Sequence, residues 1–297
     1  MPEHVRRPDS LPALLELAHR ELTFHINALN TGKAVVKIPR VVNQMEDHPG
    51  MHFHPMPELF LQVSGQNTFR FPQEHFTVRP RELCVVPFGM PHGERARAYR
   101  GPFFMFVFVY SSTHISFHLS EEGQPGSLTT VLGVSLEGAD VERLAGYLDT
   151  AIDAYHARTP WSRKVCDGLL TAHLGGLLDL VQQARAARNT ESFRIAQVRQ
   201  LIITRIQNPE LSVRTLAEWV RCSPDYLSHQ FRQETGVKLT EYINEQRVRY
   251  ARQLLQTTSM DIAEVAYAVG HNAPSYFARI FRRYTGQTAK QYRNTRS

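Results

Sequence analysis

The stretch Gly270-His271-Asn272-Ala273-Pro274-Ser275-Tyr276-Phe277-Ala278-Arg279-Ile280-Phe281-Arg282-Arg283-Tyr284-Thr285-Gly286 decides how this chain reads, because an earlier stretch repeats it. The first copy runs Leu216-Ala217-Glu218-Trp219-Val220-Arg221-Cys222-Ser223-Pro224-Asp225-Tyr226-Leu227, then Phe231-Arg232 and Thr235-Gly236. From Tyr226/Tyr276 to Gly236/Gly286 the offset is a constant 50 residues, and before that it is 49. Repetition at a fixed spacing marks a duplicated supersecondary unit, and two copies are too few for a solenoid.

Each copy has the grammar of two helices joined by a turn. In the first, Ser212 is an N-cap candidate, and Val213, Leu216, Ala217 and Val220 form an apolar stripe at helical spacing. Ser223 can cap a second helix with Pro224 at its first position, where a missing N–H costs nothing. The period turns Tyr226, Leu227 and Phe231 inward and leaves Asp225, Ser228, His229 and Arg232 outside, until Gly236 ends the helix. In the second copy, Ile262, Val265, Ala266 and Val269 line the first helix, Gly270 makes the turn and Pro274 opens the next helix. Tyr276, Phe277, Ile280 and Phe281 are expected inside, with Pro274, Ser275, Ala278, Arg279 and Arg282 outside. Leu239–Leu255 has the length and period of a connecting helix. Two outward-facing helices held by one rigid helix suit the reading of two successive major-groove segments.

The stretch resembles the DNA-binding domain of the AraC/XylS family, whose second half typically reads G-F-x-[D/S]-x-S-Y-F-x-R-x-F-K-[K/R]-x-x-G-x-T-P-x-x-Y-R. The resemblance covers about the last hundred residues, through Tyr292-Arg293. His271, Ala273 and Ala289 depart from the pattern, and Arg221 stands where a turn glycine is common, which is expected to shift that turn slightly. The resemblance implies double-stranded promoter DNA as partner, with base contacts from Asp225, Ser228 and His229 in the first half and from Pro274, Ser275, Ala278 and Arg279 in the second. Arg279 carries a fork of donors that matches guanine O6/N7. Asp225 either accepts from cytosine or stabilises its own helix N-terminus. Arg232, Arg282 and Arg283 are assigned to phosphates, giving affinity and salt dependence but little specificity.

Charge agrees with that placement. The chain has 297 residues, an ordinary length for two domains, and 42% hydrophobic content. Its net charge of +6 is uneven: residues 190–297 carry +7 and residues 1–189 carry −1. The basic character therefore belongs to the repeat region, as a phosphate-binding surface needs. Cys84, Cys166 and Cys222 lie far apart and never form C-x-x-C, which argues against a disulfide framework or zinc finger and fits a reducing cytoplasm. The longest apolar run, Phe103–Tyr110, suits a buried strand and not a membrane span, and the N-terminus lacks a signal-peptide core. A cytoplasmic protein without membrane contact is expected.

The other half has a different texture. Leu11–Thr23 reads as a short amphipathic helix. Short β-rich runs then follow (Ala34–Pro39, Glu58–Val63, Asn67–Phe71, His75–Val78, Glu82–Val86, Pro102–Tyr110), separated by Gly/Pro turns. That spacing suggests an all-β sandwich or small barrel. Inside it, His52-x-His54 precedes Glu58 and Gly65, and Pro87-x-Gly89-x-x-His92 comes later. These resemble the two cupin motifs, H-x-H-x(3)-E-x(6)-G and P-x-G-x-x-H. The resemblance implies a cupin-like jelly-roll barrel in which His52, His54, Glu58 and His92 either hold a divalent metal (Zn, Mn, Fe, Ni or Cu) or line a metal-free pocket for a small-molecule effector. On one strand, His52 and His54 would point to the same face.

After a polar loop at Glu121–Ser127, Ala139–His156 and Ser162–Arg188 read as two amphipathic helices. They either pack on their own barrel or face a two-fold mate, and a homodimer is expected. The fold class is therefore α+β: a cupin-like sensing domain (1–130), a helical linker or dimerisation segment (131–190) and an all-α domain with two helix-turn-helix motifs (191–297). The expected function is sequence-specific regulation of transcription under control of a small molecule or metal, not catalysis. The alternative is a metal-dependent cupin oxygenase or isomerase with an accessory DNA-binding domain, although no further acid/base or nucleophile set is readable in the barrel.

Overall fold

The computed structural model describes residues 6–40, 48–54, 56–110, 114–136, 141–186 and 192–294. The chain is α+β and divides into two compact units, Met1–Phe193 and Arg194–Ser297. Among the described residues, no helix is long and apolar enough to cross a membrane.

In the first unit, α1 (Leu11–Asn30) has Pro12 in its first turn and runs past its expected end, because His25 and Leu29 still face the core. Nine strands follow among the described residues: β1 (Val35–Lys37), β2 (Glu58–Ser64), β3 (Gln66–Arg70), β4 (His75–Val78), β5 (Glu82–Val86), β6 (Gly93–Arg97), β7 (Phe104–Tyr110), β8 (Ile115–Glu122) and β9 (Leu128–Leu136). Two helices complete the unit, α2 (Val141–His156) and α3 (Ser162–Ala186). The strands form a six-stranded sheet in the order β1-β5-β2-β7-β8-β9 and a three-stranded sheet in the order β4-β3-β6. Strands β6, β8 and β9 were not expected, and β8 takes up the first part of the loop predicted at Glu121–Ser127.

Strand alternation divides the large sheet into two faces. Leu59, Leu61, Leu83, Val85, Phe106, Phe108, Phe117 and Leu119 share one core with Leu14, Leu22, Leu148, Ile152, Leu170, Leu177 and Val181 of the three helices. The other face is set by register. Glu58 lies opposite Val109, which pairs in turn with Ser116; Phe60 lies opposite Val107, which pairs with His118; and Gln62 lies opposite Met105, which pairs with Ser120. This face meets the small sheet, where Phe60 packs edge-on against Phe69 at 4.9 Å and Asn67 Nδ2 donates to Met105 Sδ at 3.6 Å. The boundary expected at residue 130 thus falls inside β9, and α2 and α3 belong to the core of the β-region. Their packing is pinned by a buried chain in which Tyr110 Oη lies 2.6 Å from His173 Nε2 and His173 Nδ1 lies 2.9 Å from the Leu144 carbonyl. A carbonyl only accepts, so Nδ1 carries the hydrogen and the Tyr110 hydroxyl donates to Nε2.

The second unit contains α4 (Phe193–Thr204), α5 (Val213–Trp219), α6 (Pro224–Thr235), α7 (Leu239–Thr257), α8 (Ile262–Ala268), α9 (Pro274–Thr285) and α10 (Ala289–Asn294). Helices α5 and α8 both begin with a reciprocal cap, Ser212 with Thr215 and Asp261 with Glu264. Helices α6 and α9 both begin at a proline and end at a glycine whose N–H reaches back to Arg232 or Arg282. Leu227, Phe231, Phe277 and Phe281 are buried, and the Phe231 ring packs 5.3 Å from Tyr242 of α7. Helix α7 contacts α6, α8 and α9, so one rod carries both pairs.

Candidate nucleic-acid interface and buried histidine cluster

The two short helix pairs hold α6 and α9 by equivalent turns. Cys222 N donates to Ala217 O at 3.0 Å, and His271 N donates to Ala266 O at 2.9 Å. Arg221 has φ 54° and Gly270 has φ 84°, so Arg221 adopts the left-handed conformation itself and the expected shift of the turn does not occur. Gly270 is the more constrained of the two: a Cβ there would lie 2.5 Å from the Ile206 carbonyl oxygen. His271, where the family pattern has Phe, is buried with its ring 5.6 Å from both Tyr276 and Phe277. Burial, reinforced by the charge of Arg247, pushes its pKa down to about 4, and the neutral ring fills an aromatic position.

On α6, Asp225, His229 and Arg232 are exposed, and Ser228 is half-buried with its hydroxyl donating to Pro224 O at 2.8 Å. On α9, Ser275, Ala278, Arg279, Arg282 and Arg283 are exposed and Pro274 is half-buried. Two inward assignments need correction: Tyr226 and Tyr276 are 50% and 42% exposed. Each stands one helical step from a buried neighbour, Leu227 or Phe277, and lies on the flank of its helix with a guanidinium over the ring. Arg194 covers Tyr226 at 5.3 Å and Arg279 covers Tyr276 at 5.1 Å. Ser228, His229 and Arg232 also share an open groove of about 340 Å³ with Val213, Lys238 and Thr240. Lys238 was missed from sequence, since its relevance depends on α7 starting beside α6.

In the first unit, His52, His54 and His92 converge, their nearest ring nitrogens all within 4.8 Å of one another. The two histidines of H-x-H do not lie on a named strand. His52 forms an isolated bridge with His92 through two backbone hydrogen bonds of 2.9 and 2.8 Å, and the His54 carbonyl accepts from Gly89 N at 2.9 Å. Gly89, with φ 65°, is the third residue of a turn closed by Met90 N to Pro87 O at 3.2 Å, which needs a positive φ there. That turn delivers His92 to the cluster. Glu58 Oε1 lies 3.6 Å from His54 Nε2, and Glu58 Oε2 lies 3.4 Å from His92 Nε2. His92 Nδ1 donates to the Met90 carbonyl at 2.9 Å, so Nε2 presents a lone pair toward Glu58. Burial, then the neighbouring His52, pushes the pKa of His92 down to about 3, and burial holds Glu58 well above the carboxylate range. His52 is exposed, so the cluster opens toward solvent.

Residues 216–295 match the family of helix-turn-helix domains. Over 100 residues, 34% of this chain, the sequence is 34% identical to the arabinose operon regulatory protein of Escherichia coli. The second unit is a helix-turn-helix domain of the AraC family. The transcriptional regulator GlxA of Rhizobium meliloti is 31% identical over 139 residues, 46% of this chain. These alignments span 34% and 43% of the lengths of the two relatives. The C-terminal domain of AraT, a response regulator from Geobacillus stearothermophilus, aligns with 37% of this chain and 88% of its own at 31% identity, with a TM-score of 0.35.

Beside this AraC-family domain, the first unit holds polar groups that sequence reading missed. Glu94 of β6 and His118 of β8 lie within electrostatic reach of Glu58 and His54 respectively. Burial raises the pKa of Glu94 to about 7 and lowers that of His118 to about 4. Gln62 and Asn67 are fully buried on the same interior, and their carbonyl oxygens find no hydrogen-bond donor. A signal existed for both titratable groups. Glu94 follows His92 by two, and His118 alternates with Ser116 and Ser120 against Ile115, Phe117 and Leu119.

Proposed function

We propose that this chain is a sequence-specific DNA-binding regulator of transcription, controlled by a small molecule or divalent metal in its first unit. The observation that carries the reading is the pair of like helices, α6 and α9, each presenting an exposed face with basic residues and braced by α7. They act as two helix-turn-helix motifs on successive major-groove segments. Asp225, Ser228 and His229, and Pro274, Ser275, Ala278 and Arg279, read base edges, while Arg232, Arg282 and Arg283 hold phosphates. The chain works as a cytoplasmic homodimer, and the two sheets of the first unit serve as a cupin-like jelly roll.

The donor set fits a metal. His52, His54 and His92 bring their nearest ring nitrogens within 4.8 Å of one another, and the Glu58 carboxyl lies 3.4 Å from His92 and 3.6 Å from His54, a nitrogen and oxygen set of the kind such ions take. His52, His54, Glu58 and His92 would hold Zn, Mn, Fe, Ni or Cu, and such an ion would neutralise the buried carboxylate. A neutral effector that hydrogen-bonds to the same groups is the metal-free form of this reading.

The test is capture of genomic fragments by the purified protein at stated salt, with metal analysis of the same preparation. Two boxes about one helical turn apart are expected. Recovery of only random, salt-sensitive fragments, with and without added metal, would overturn it. Glu94 and His118 beside the cluster favour a second reading, a metal-dependent cupin enzyme. It would gain if His52→Ala left DNA binding intact while a turnover activity disappeared.

A further inference from the structure

The repeat makes α6 and α9 counterparts, yet they are not equipped alike. Tyr276 of α9 is covered by the guanidinium of Arg279 on the same helix. The residue of α6 at the position of Arg279 is His229, an imidazole that cannot offer the same fork of donors. A guanidinium nevertheless covers the counterpart ring. It comes from Arg194 of α4, whose Nη1 lies 3.2 Å from Tyr226 Oη and 3.3 Å from Gln230 Oε1. Two exposed tyrosines 50 residues apart thus carry a guanidinium at nearly the same distance, supplied by different helices.

We infer that Arg194 is a DNA-backbone contact beside the first reading helix. The inference rests on the reading of α6 and α9 as DNA-facing helices. Its ligand is a phosphate and not a base edge, because of where the guanidinium is anchored. At 100° per residue, Asp225, Ser228, His229 and Arg232 share one face of α6, while Tyr226 and Gln230 occupy the adjacent flank. A helix lying in the major groove has the phosphate strands along its flanks. Among the described residues, Nη1 is the atom held by Tyr226 and Gln230, which leaves the Nε and Nη2 hydrogens to donate to a phosphate on that strand.

The experiment measures binding of the full-length protein to a labelled random-sequence duplex across a potassium chloride series, by fluorescence anisotropy. Arg194→Gln should lower the slope of log affinity against log salt by about one, as expected for one lost phosphate contact. Over a tenfold rise in salt the variant would therefore lose about eightfold less affinity than the parent. Arg194→Lys should keep the parental slope. Tyr226→Phe, which removes one anchor but no charge, should keep it too, and shows whether disturbing α6 alone changes binding. A parental slope in Arg194→Gln, with or without weaker binding, would overturn the inference and leave Arg194 a positioning residue for α6. If the parent protein itself showed no salt-dependent duplex binding, the DNA-facing reading would fall and this inference with it.

Discussion

His271 shows how a departure from a family pattern can be absorbed by protonation state. The ring is accepted among Tyr276 and Phe277 only as the neutral imidazole, with a folded pKa near 4 against an ordinary value of 6.5. Between those values the unfolded chain binds the proton and the folded one does not. Stability of the second unit is therefore complete above about pH 6.5 and falls as the pH drops toward 4, by on the order of 2–3 kcal/mol. His271→Phe should flatten that part of the pH–stability curve in urea melts, and an unchanged curve would remove His271 as its source. A second residue-scale contrast concerns two glycines. Gly270→Ala drives a Cβ against the Ile206 carbonyl oxygen at a φ of 84° and should cost roughly 2–4 kcal/mol. Gly286→Ala meets nothing within 4 Å, so only the left-handed backbone penalty of roughly 1–2 kcal/mol applies. Equal losses in the two variants would contradict the close approach.

For whole elements, α9 separates two kinds of contact. Arg279→Ala should cost roughly 1–3 kcal/mol on the preferred operator and relax preference at one base pair. Arg282→Ala should weaken all duplexes alike and lower the salt slope by about one. A loss confined to a single sequence in Arg282→Ala would move it to the base-reading set. In the first unit, Tyr110→Phe leaves His173 Nε2 buried without its donor and should cost about 1–3 kcal/mol of stability. The helices of the AraC-family domain were legible because caps, period and terminal glycines are local signals, readable within a dozen residues. The two tyrosines were misassigned because period alone cannot see that a neighbouring guanidinium makes a flank position comfortable. Strands β6 and β8 escaped for a different reason. Gly93–Arg97 is short and charged, and the polar members of Ile115–Ser120 face an interior that exists only once two sheets close over it. The H-x-H, Glu58 and P-x-G-x-x-H set was readable through its resemblance to the cupin motifs, whereas Glu94, His118, Gln62 and Asn67 join it through long-range pairing.

For the molecule as a whole, the two units carry one tryptophan each, Trp161 at the start of α3 and Trp219 at the end of α5, both exposed. Trp161→Phe leaves fluorescence that reports the second unit alone. Gly270→Ala should shift the urea midpoint in that background, while the Trp161 signal of Trp219→Phe should keep its midpoint when the same glycine is replaced. A common shift in both backgrounds would mean that the units melt as one. The change of offset between the copies, from 49 to 50 residues, has a consequence of its own. Cys222 and His271 occupy matching places in the backbone, as do Tyr226 and Tyr276, so the surplus residue is confined to the few positions between them. Inside a helix, one inserted residue rotates everything beyond it by about 100°, enough to bury Arg279 and expose Phe277. Placed in the turn, it leaves the azimuth of the following helix untouched, so the two copies could diverge in length without either losing its aim.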